Sequence, residues 1–257
     1  MLTAADNELL CRVGPGTPMG NLMRQYWMPA LQPSELPDPD GAPLRLRLLG
    51  EDLVAWRNTD GSVGVMQNAC PHRGASMFFG RNEENGLRCV YHGWKFDTEG
   101  QCVDMPNEPA ESNFKHKIKA AAYAAADWGG ITWVYMGPRQ ATPPGLPEFE
   151  WCKLPEEQVH HAYKGIYHCN WMQTLEGDID TSHLYFLHGR LNPKDPPAYG
   201  VFHHDKSPRL EITETEYGVL YGARREERPG QIYWRTTQFM FPIFTAPVPD
   251  DIDPLSR

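Results

Sequence analysis

The chain opens its patterned part with strict alternation. Leu44–Leu49 sets Leu against Arg at every other position, as a strand with one buried face does. Leu53–Trp56, Val63–Met66, Arg88–Tyr91 and Ile131–Tyr135 are further short apolar runs, cut by turn signals such as Asp60-Gly61 and Glu99-Gly100. Strands at this spacing predict a small sandwich or barrel. Two Pro/Gly-rich stretches bracket them. Gln32–Pro43 carries Pro33, Pro37, Pro39 and Gly41, and Gly137–Pro147 carries Pro138, Pro143, Pro144 and Gly145. Beyond the second stretch the texture changes. Val159–Tyr167 reads as a strand, Asn170–His188 as helical, and Arg209–Tyr221 and Ile232–Phe244 as long strands. A helix on an antiparallel sheet makes the fold class α+β. The expected organisation is an N-terminal segment (1–43), a small all-β domain (44–137) and a second domain (138–257).

Composition narrows the function. The 257 residues suit one large domain or two modest ones, and 40% hydrophobic with 22% charged residues is a globular balance. A formal net charge of −9 argues against a general partner of nucleic acid or acidic membranes. No apolar run reaches the roughly 18 residues that span a bilayer. The run around Ala120–Ala126 is too short and too rich in Ala. Met1–Pro15 lacks a basic stretch followed by an apolar core, so no secretory signal is expected. The six Cys then read as free thiols or metal ligands in a cytoplasmic protein, not as disulfides.

Four of the chemically active residues fall in two short loops. Cys70-Pro71-His72 is answered by Cys89-Val90-Tyr91-His92. Two thiolates and two imidazoles suit Zn²⁺, and they equally suit a [2Fe–2S] centre with Cys on one iron and His on the other. Each loop supplies one of each, whereas a zinc finger more often pairs like with like. Gly74 and Gly93 follow the two His and free the backbone for close approach. A second set lies at Asp180, His183 and His188. Two His with a carboxylate suit an O₂-activating ferrous ion. Five residues of ideal helix put His183 and His188 about 140° apart, so both share a stripe only where the helix bulges or ends. On spacing alone, two ordinary core or surface histidines are the better reading of that set.

With Arg73-Gly74 and Gly93-Trp94 beside it, the first set resembles the Rieske domain of ring-hydroxylating oxygenases, over about Leu44–Gly137. Respiratory-type Rieske proteins add a Cys to each loop. Ala75 and Tyr91 stand at those positions here, which favours the oxygenase or ferredoxin type. In the oxygenases the catalytic domain carries Asp-x2-His-x4-His, and Asp180, His183 and His188 fit it. The resemblance implies that Cys70, His72, Cys89 and His92 hold the cluster and that His183 and His188 hold mononuclear Fe(II). Asp180 is then no ligand. It hydrogen-bonds a ligand His and links to a Rieske His of a neighbouring subunit. Asn170-Trp171 and Leu175-Glu176-Gly177 resemble the phthalate dioxygenase and phenoxybenzoate dioxygenase branch, with Glu176 outside the ligand set.

The family further implies a helix-grip, START-like catalytic domain and a terminal oxygenase. With O₂ it would hydroxylate, dihydroxylate or O-dealkylate a carboxylated aromatic substrate. A flavin/iron–sulfur reductase would feed it from NAD(P)H, and the assembly would be a homotrimer or stacked trimers. The family's third iron ligand is a carboxylate late in the catalytic domain. Asp195, Asp205, Glu211, Asp250, Asp251 and Asp253 lack the expected context, so the expectation is a truncated chain with the ligand beyond Arg257. That gap also supports an alternative, a Rieske-type electron carrier with a degenerate second domain. Arg209 and Arg235 are candidate anchors for a substrate carboxylate, since a guanidinium grips one bidentately. The pairs His160-His161 and His203-His204 make no chelate, because strand neighbours point to opposite faces. Cys102 reads as an ordinary buried thiol, Cys11, Cys152 and Cys169 carry no spacing signal, and Glu226-Glu227 reads as a solvated turn.

Overall fold

The computed structural model describes residues 2–109, 111–159, 164–187 and 205–247. Its contacts divide the chain into two units, Met1–Ile166 and Tyr167–Arg257.

The first unit begins with α1 (Ala4–Cys11) and α2 (Pro18–Met23). Thr3 caps α1 by accepting from the Asp6 N–H, and Thr17 caps α2 with Pro18 in its first turn. Ten strands follow: β1 (Trp27–Leu31), β2 (Leu44–Leu48), β3 (Glu51–Arg57), β4 (Val63–Gln67), β5 (Arg81–Asn82), β6 (Leu87–Arg88), β7 (Lys95–Phe96), β8 (Cys102–Asp104), β9 (Ala122–Trp128) and β10 (Ile131–Tyr135). They form a six-stranded sheet of order β1-β10-β9-β4-β3-β2 and a four-stranded sheet of order β5-β6-β7-β8. All the pairings are antiparallel.

Position in the sheet explains each pattern. β2 lies at an edge and keeps its alternation, with Arg45 and Arg47 exposed. β3 lies inside, and Leu53, Val54, Ala55 and Trp56 are buried without alternation. The core packs Val54, Trp56 and Met66 from the large sheet against Leu87, Phe96 and Cys102 from the small one, with Cys70, Cys89 and Trp94 in the same cluster. Arg24 ties the N-terminal helices to this body. It is buried, donates to Leu49 O (2.8 Å) and pairs with Glu51 (2.7 Å), which also accepts from Tyr123 (2.6 Å).

The structure differs from the sequence reading at several elements. Trp27–Leu31, expected ahead of the β domain, pairs with β10 as part of its sheet. The Ala-rich run, given no element by its pattern, enters β9 from Ala122 onward, between β10 and β4. The expected strand Arg88–Tyr91 stops at Arg88, because the chain from Cys89 turns back on itself.

The second unit contains α3 (Trp171–Ile179), α4 (Leu184–Leu187) and one antiparallel sheet in sequential order, β11 (Arg209–Thr215), β12 (Gly218–Arg228), β13 (Gln231–Met240) and β14 (Phe244–Pro247). Asn170 caps α3 by accepting from the Gln173 N–H (3.1 Å). The expected single helix breaks at Asp180, whose extended backbone (ψ 128°) ends α3. The two long strands are interrupted by turns after Thr215 and Met240. Glu226 and Glu227, read as a turn, lie in β12. The expected strand Val159–Tyr167 is not found in its described part. Lys164–Tyr167 is irregular, with Ile166 and Tyr167 exposed, and 160–163 lie outside the described residues. The α+β class stands. Among the described residues no helix is long and apolar enough to cross a membrane.

Candidate functional site

The two Cys/His loops share one construction. In the first, the Gly74 N–H donates to Cys70 O (2.8 Å) and the Cys70 N–H donates to Ala75 O (2.9 Å). In the second, the Gly93 N–H donates to Cys89 O (3.0 Å) and the Cys89 N–H donates to Trp94 O (2.9 Å). Each Cys therefore closes a turn onto the two residues four and five places on. The turn needs a residue with positive φ, and Gly74 (71°) and Gly93 (77°) supply it. Arg88 braces the second loop, donating to Gly93 O and Asp104 at 2.7 Å each.

The loops bring their side chains together by type. Cys70 and Cys89, 3% and 2% exposed, interact directly inside the core. His72 and His92 lie beside each other toward the surface, ring centroids 4.5 Å apart. His72 also stacks on Trp94 at 4.4 Å and 8° between planes, and Tyr91 leans on His92 at 4.0 Å. Among the described residues no three His, Cys, Asp or Glu converge on one point as a single ion needs.

The electrostatics follow from burial. Desolvation pushes the Cys70 thiol up to about 11, with Cys89 adding to it, while the backbone N–H groups of His72 and Arg73 aimed at Cys70 oppose it. Desolvation lowers the pKa of His72, as do His92 and Arg73, which favours the neutral, ligating imidazole. The His72 Nδ1 is buried with no hydrogen-bond partner. Such an orphan demands an explanation, and a metal ion is one. Cys102, also pushed up to about 11 by burial, donates to Asp104 O (3.3 Å) as a buried thiol does.

In the second unit Asp180 sits at the end of α3. One carboxylate oxygen accepts from the Ser182 N–H (2.7 Å), and the other lies 3.0 Å from His183 Nδ1. Burial would raise the Asp180 pKa, but the hydrogen bonds from Ser182 and His183 outweigh it and hold the carboxyl below its usual range. His188 lies outside the described residues, as do His160, His161, His203, His204, Asp195, Asp250, Asp251 and Asp253. Asp205 accepts from the Ser207 and Glu226 N–H groups, and Glu211 lies exposed on β11.

The register separates the two candidate anchors. Tyr221, which donates to Ile179 O, and Arg225, which donates to Thr181 O (2.9 Å), mark the face of β12 under α3. Arg235 is directly opposite Ala223 on that face. Arg209 is opposite Arg224, on the other side of the sheet. Tyr221 and Arg225 carry no sequence marker. Only the frame of the strand puts them under the helix. A cavity of about 770 Å³ lies in the first unit, lined by Leu31, Leu46, Leu48, Ile131 and Trp151 among others, and none of the expected site residues borders it.

Comparison with known proteins accounts for both units. A Rieske [2Fe–2S] domain model matches residues 26–122, and a model described as LigXa C-terminal domain like matches residues 134–253. The chain thus carries a Rieske [2Fe–2S] domain followed by a LigXa C-terminal-like domain. The chain is 48% identical over 249 residues to the 3-chlorobenzoate-3,4-dioxygenase oxygenase subunit of Comamonas testosteroni, across 95% of the chain and 56% of that protein. It is 45% identical over 263 residues to the phthalate 4,5-dioxygenase oxygenase subunit of Pseudomonas putida, across 97% of the chain and 58% of that protein. The chain thus spans a little over half the length of these curated relatives. Among solved structures, dicamba monooxygenase bound to dicamba matches with a TM-score of 0.67 at 22% identity, over 89% of this chain and 70% of that one, a likeness of fold.

Proposed function

We propose that the chain is the oxygenase component of a cytoplasmic multicomponent system. It would hydroxylate, dihydroxylate or O-dealkylate a carboxylated aromatic substrate with O₂, using electrons that a flavin/iron–sulfur reductase draws from NAD(P)H. The carrying observation is the pair of identically closed loops, which groups two thiols apart from two imidazoles around the unpartnered Nδ1 of His72. A donor set with thiol beside thiol and imidazole beside imidazole fits a two-iron cluster that takes Cys on one iron and His on the other.

In this reading Cys70 and Cys89 hold one iron and His72 and His92 the other. The cluster supplies one-electron storage. The buried thiols keep water from the sulfur side, and backbone N–H groups aimed at Cys70 favour its anionic form. His183 and His188 hold the second metal site, a ferrous ion that supplies dioxygen activation. Asp180 fixes the ring and tautomer of His183 through Nδ1, which presents Nε2 to the metal. Its remaining role, a link toward a Rieske His of a neighbouring subunit, belongs to the proposed trimer or stacked trimers. Arg235, on the helix face of the sheet, is the candidate for the substrate carboxylate, in keeping with the 3-chlorobenzoate and phthalate named for the two relatives.

Iron and acid-labile sulfide per chain, measured with reductase-coupled NADH oxidation over benzoates, phthalates and aryl ethers, test the proposal. Three irons, two sulfides and substrate-dependent O₂ uptake are expected. Two irons without turnover would favour the electron carrier instead, and absent sulfide would end the cluster assignment.

A further inference from the structure

We infer that Asn107 is a positioning residue for His72, acting through the indole of Trp94. The inference rests on the cluster reading above. A ligating imidazole must present one nitrogen in a fixed direction, and metal sites ordinarily arrange this by a hydrogen bond to the ring. His72 Nδ1, buried and without a hydrogen bond, is the nitrogen free to ligate, and within this chain aromatic contacts hold the plane of its ring. The closer and more parallel contact is Trp94, at 4.4 Å and 8°. A stacked ring fixes its neighbour only if it cannot itself turn. Trp94 is buried, Phe114 meets it edge-on at 6.3 Å, and its Nε1–H donates to Asn107 Oδ1 at 2.7 Å. A buried indole N–H keeps its acceptor, so that bond decides which way the plane faces.

The chain brings Asn107 to this point by a short route. A Cβ on Gly93 would come within 2.6 Å of the Pro106 ring, so glycine lets the Met105–Glu108 turn lie directly on the second loop. The Glu108 N–H donates to Met105 O (3.1 Å) and closes the turn, and the Glu108 charge acts on His72. The second loop, which carries Cys89 and His92, thereby orients the histidine of the first.

The test compares Asn107→Leu, Asn107→Asp and Trp94→Phe in the chain purified with its cluster. Iron and sulfide per chain, the reduced-state electron paramagnetic resonance spectrum, the midpoint potential and thermal unfolding are measured. Asn107→Leu removes the acceptor, and Trp94→Phe keeps an aromatic face but removes the donor. Both are expected to lower cluster content at least twofold, broaden the spectrum and shift the potential in one direction, with a loss of thermal stability no larger than one unpaired buried donor or one trimmed ring explains. The double variant should be no worse than either single one, since both cut the same bond. Asn107→Asp, which still accepts, should restore content and spectrum. Wild-type content, spectrum and potential in Asn107→Leu would overturn the inference, as would additive losses in the double variant. If Asn107→Leu fails to fold, Trp94→Phe and Asn107→Asp decide by the same criteria. Wild-type chain without labile sulfide would sink the cluster reading together with this inference. Wild-type sulfide with unaltered variants would sink the inference alone.

Discussion

The two candidate sites are built on opposite plans. In the first unit, Cys70 and Cys89 sit inside a core shared by two sheets, and main-chain hydrogen bonds close each loop within six residues. In the second, Asp180 and His183 lie on a helix end, with side chains 43% and 27% exposed, held by one another and by Ser182. Beside them the sheet leaves Leu210 and Ile212 53% and 69% exposed. The contrast shows where the organisation of each site resides. Local backbone closure shapes each Cys/His loop, and the shared core brings the two loops together. In the second, the chain around Asp180 is held by residues far along the sequence, Tyr221 donating to Ile179 O and Arg225 to Thr181 O.

The largest way to break the contrast is at the thiols. Cys70→Ser and Cys89→Ser should each abolish labile sulfide and the cluster spectrum, and full cluster content in either would remove the first site from the comparison. Trp56→Ala tests whether the core carries the loops. It empties a fully buried position in the same cluster and should cost about 3–5 kcal/mol in chemical denaturation. Retained cluster in the folded fraction would show that the loops close without it. Asp180→Asn probes the second plan. It should leave the cluster spectrum intact and lower reductase-coupled turnover about 10–100-fold, and unchanged turnover would remove Asp180 from the electron path. A smaller effect is expected of Tyr221→Phe, which deletes the bond to Ile179 O and should cost about 1 kcal/mol.

The smallest effect concerns acid. The Arg88 guanidinium holds the Asp104 carboxyl below the usual range. A depressed carboxyl pKa stabilises the fold fully above the unfolded value of about 3.9, and that contribution is lost as pH falls through the lower folded value. The stability gap between wild type and Asp104→Asn should therefore be constant near neutrality and close below about pH 4. A gap that persists at low pH would mean the loop brace does not act through this charge.

The sequence by itself determined what depends on neighbours along the chain. Alternation and turn residues marked β2, β3, β4 and β10, and the spacing of Cys70, His72, Cys89 and His92 with Gly74 and Gly93 marked the first site, because a closed loop is a local object. The same locality made Asp180 and His183 legible three residues apart. Only the tertiary structure decided what depends on partners far away. It put Trp27–Leu31 into the sheet and ended the strand at Arg88. It also separated Arg209 from Arg235 and brought Tyr221 and Arg225 beneath α3. The physical reason is that a strand's face is set by register, and register is chosen by the partner strand and the core it buries.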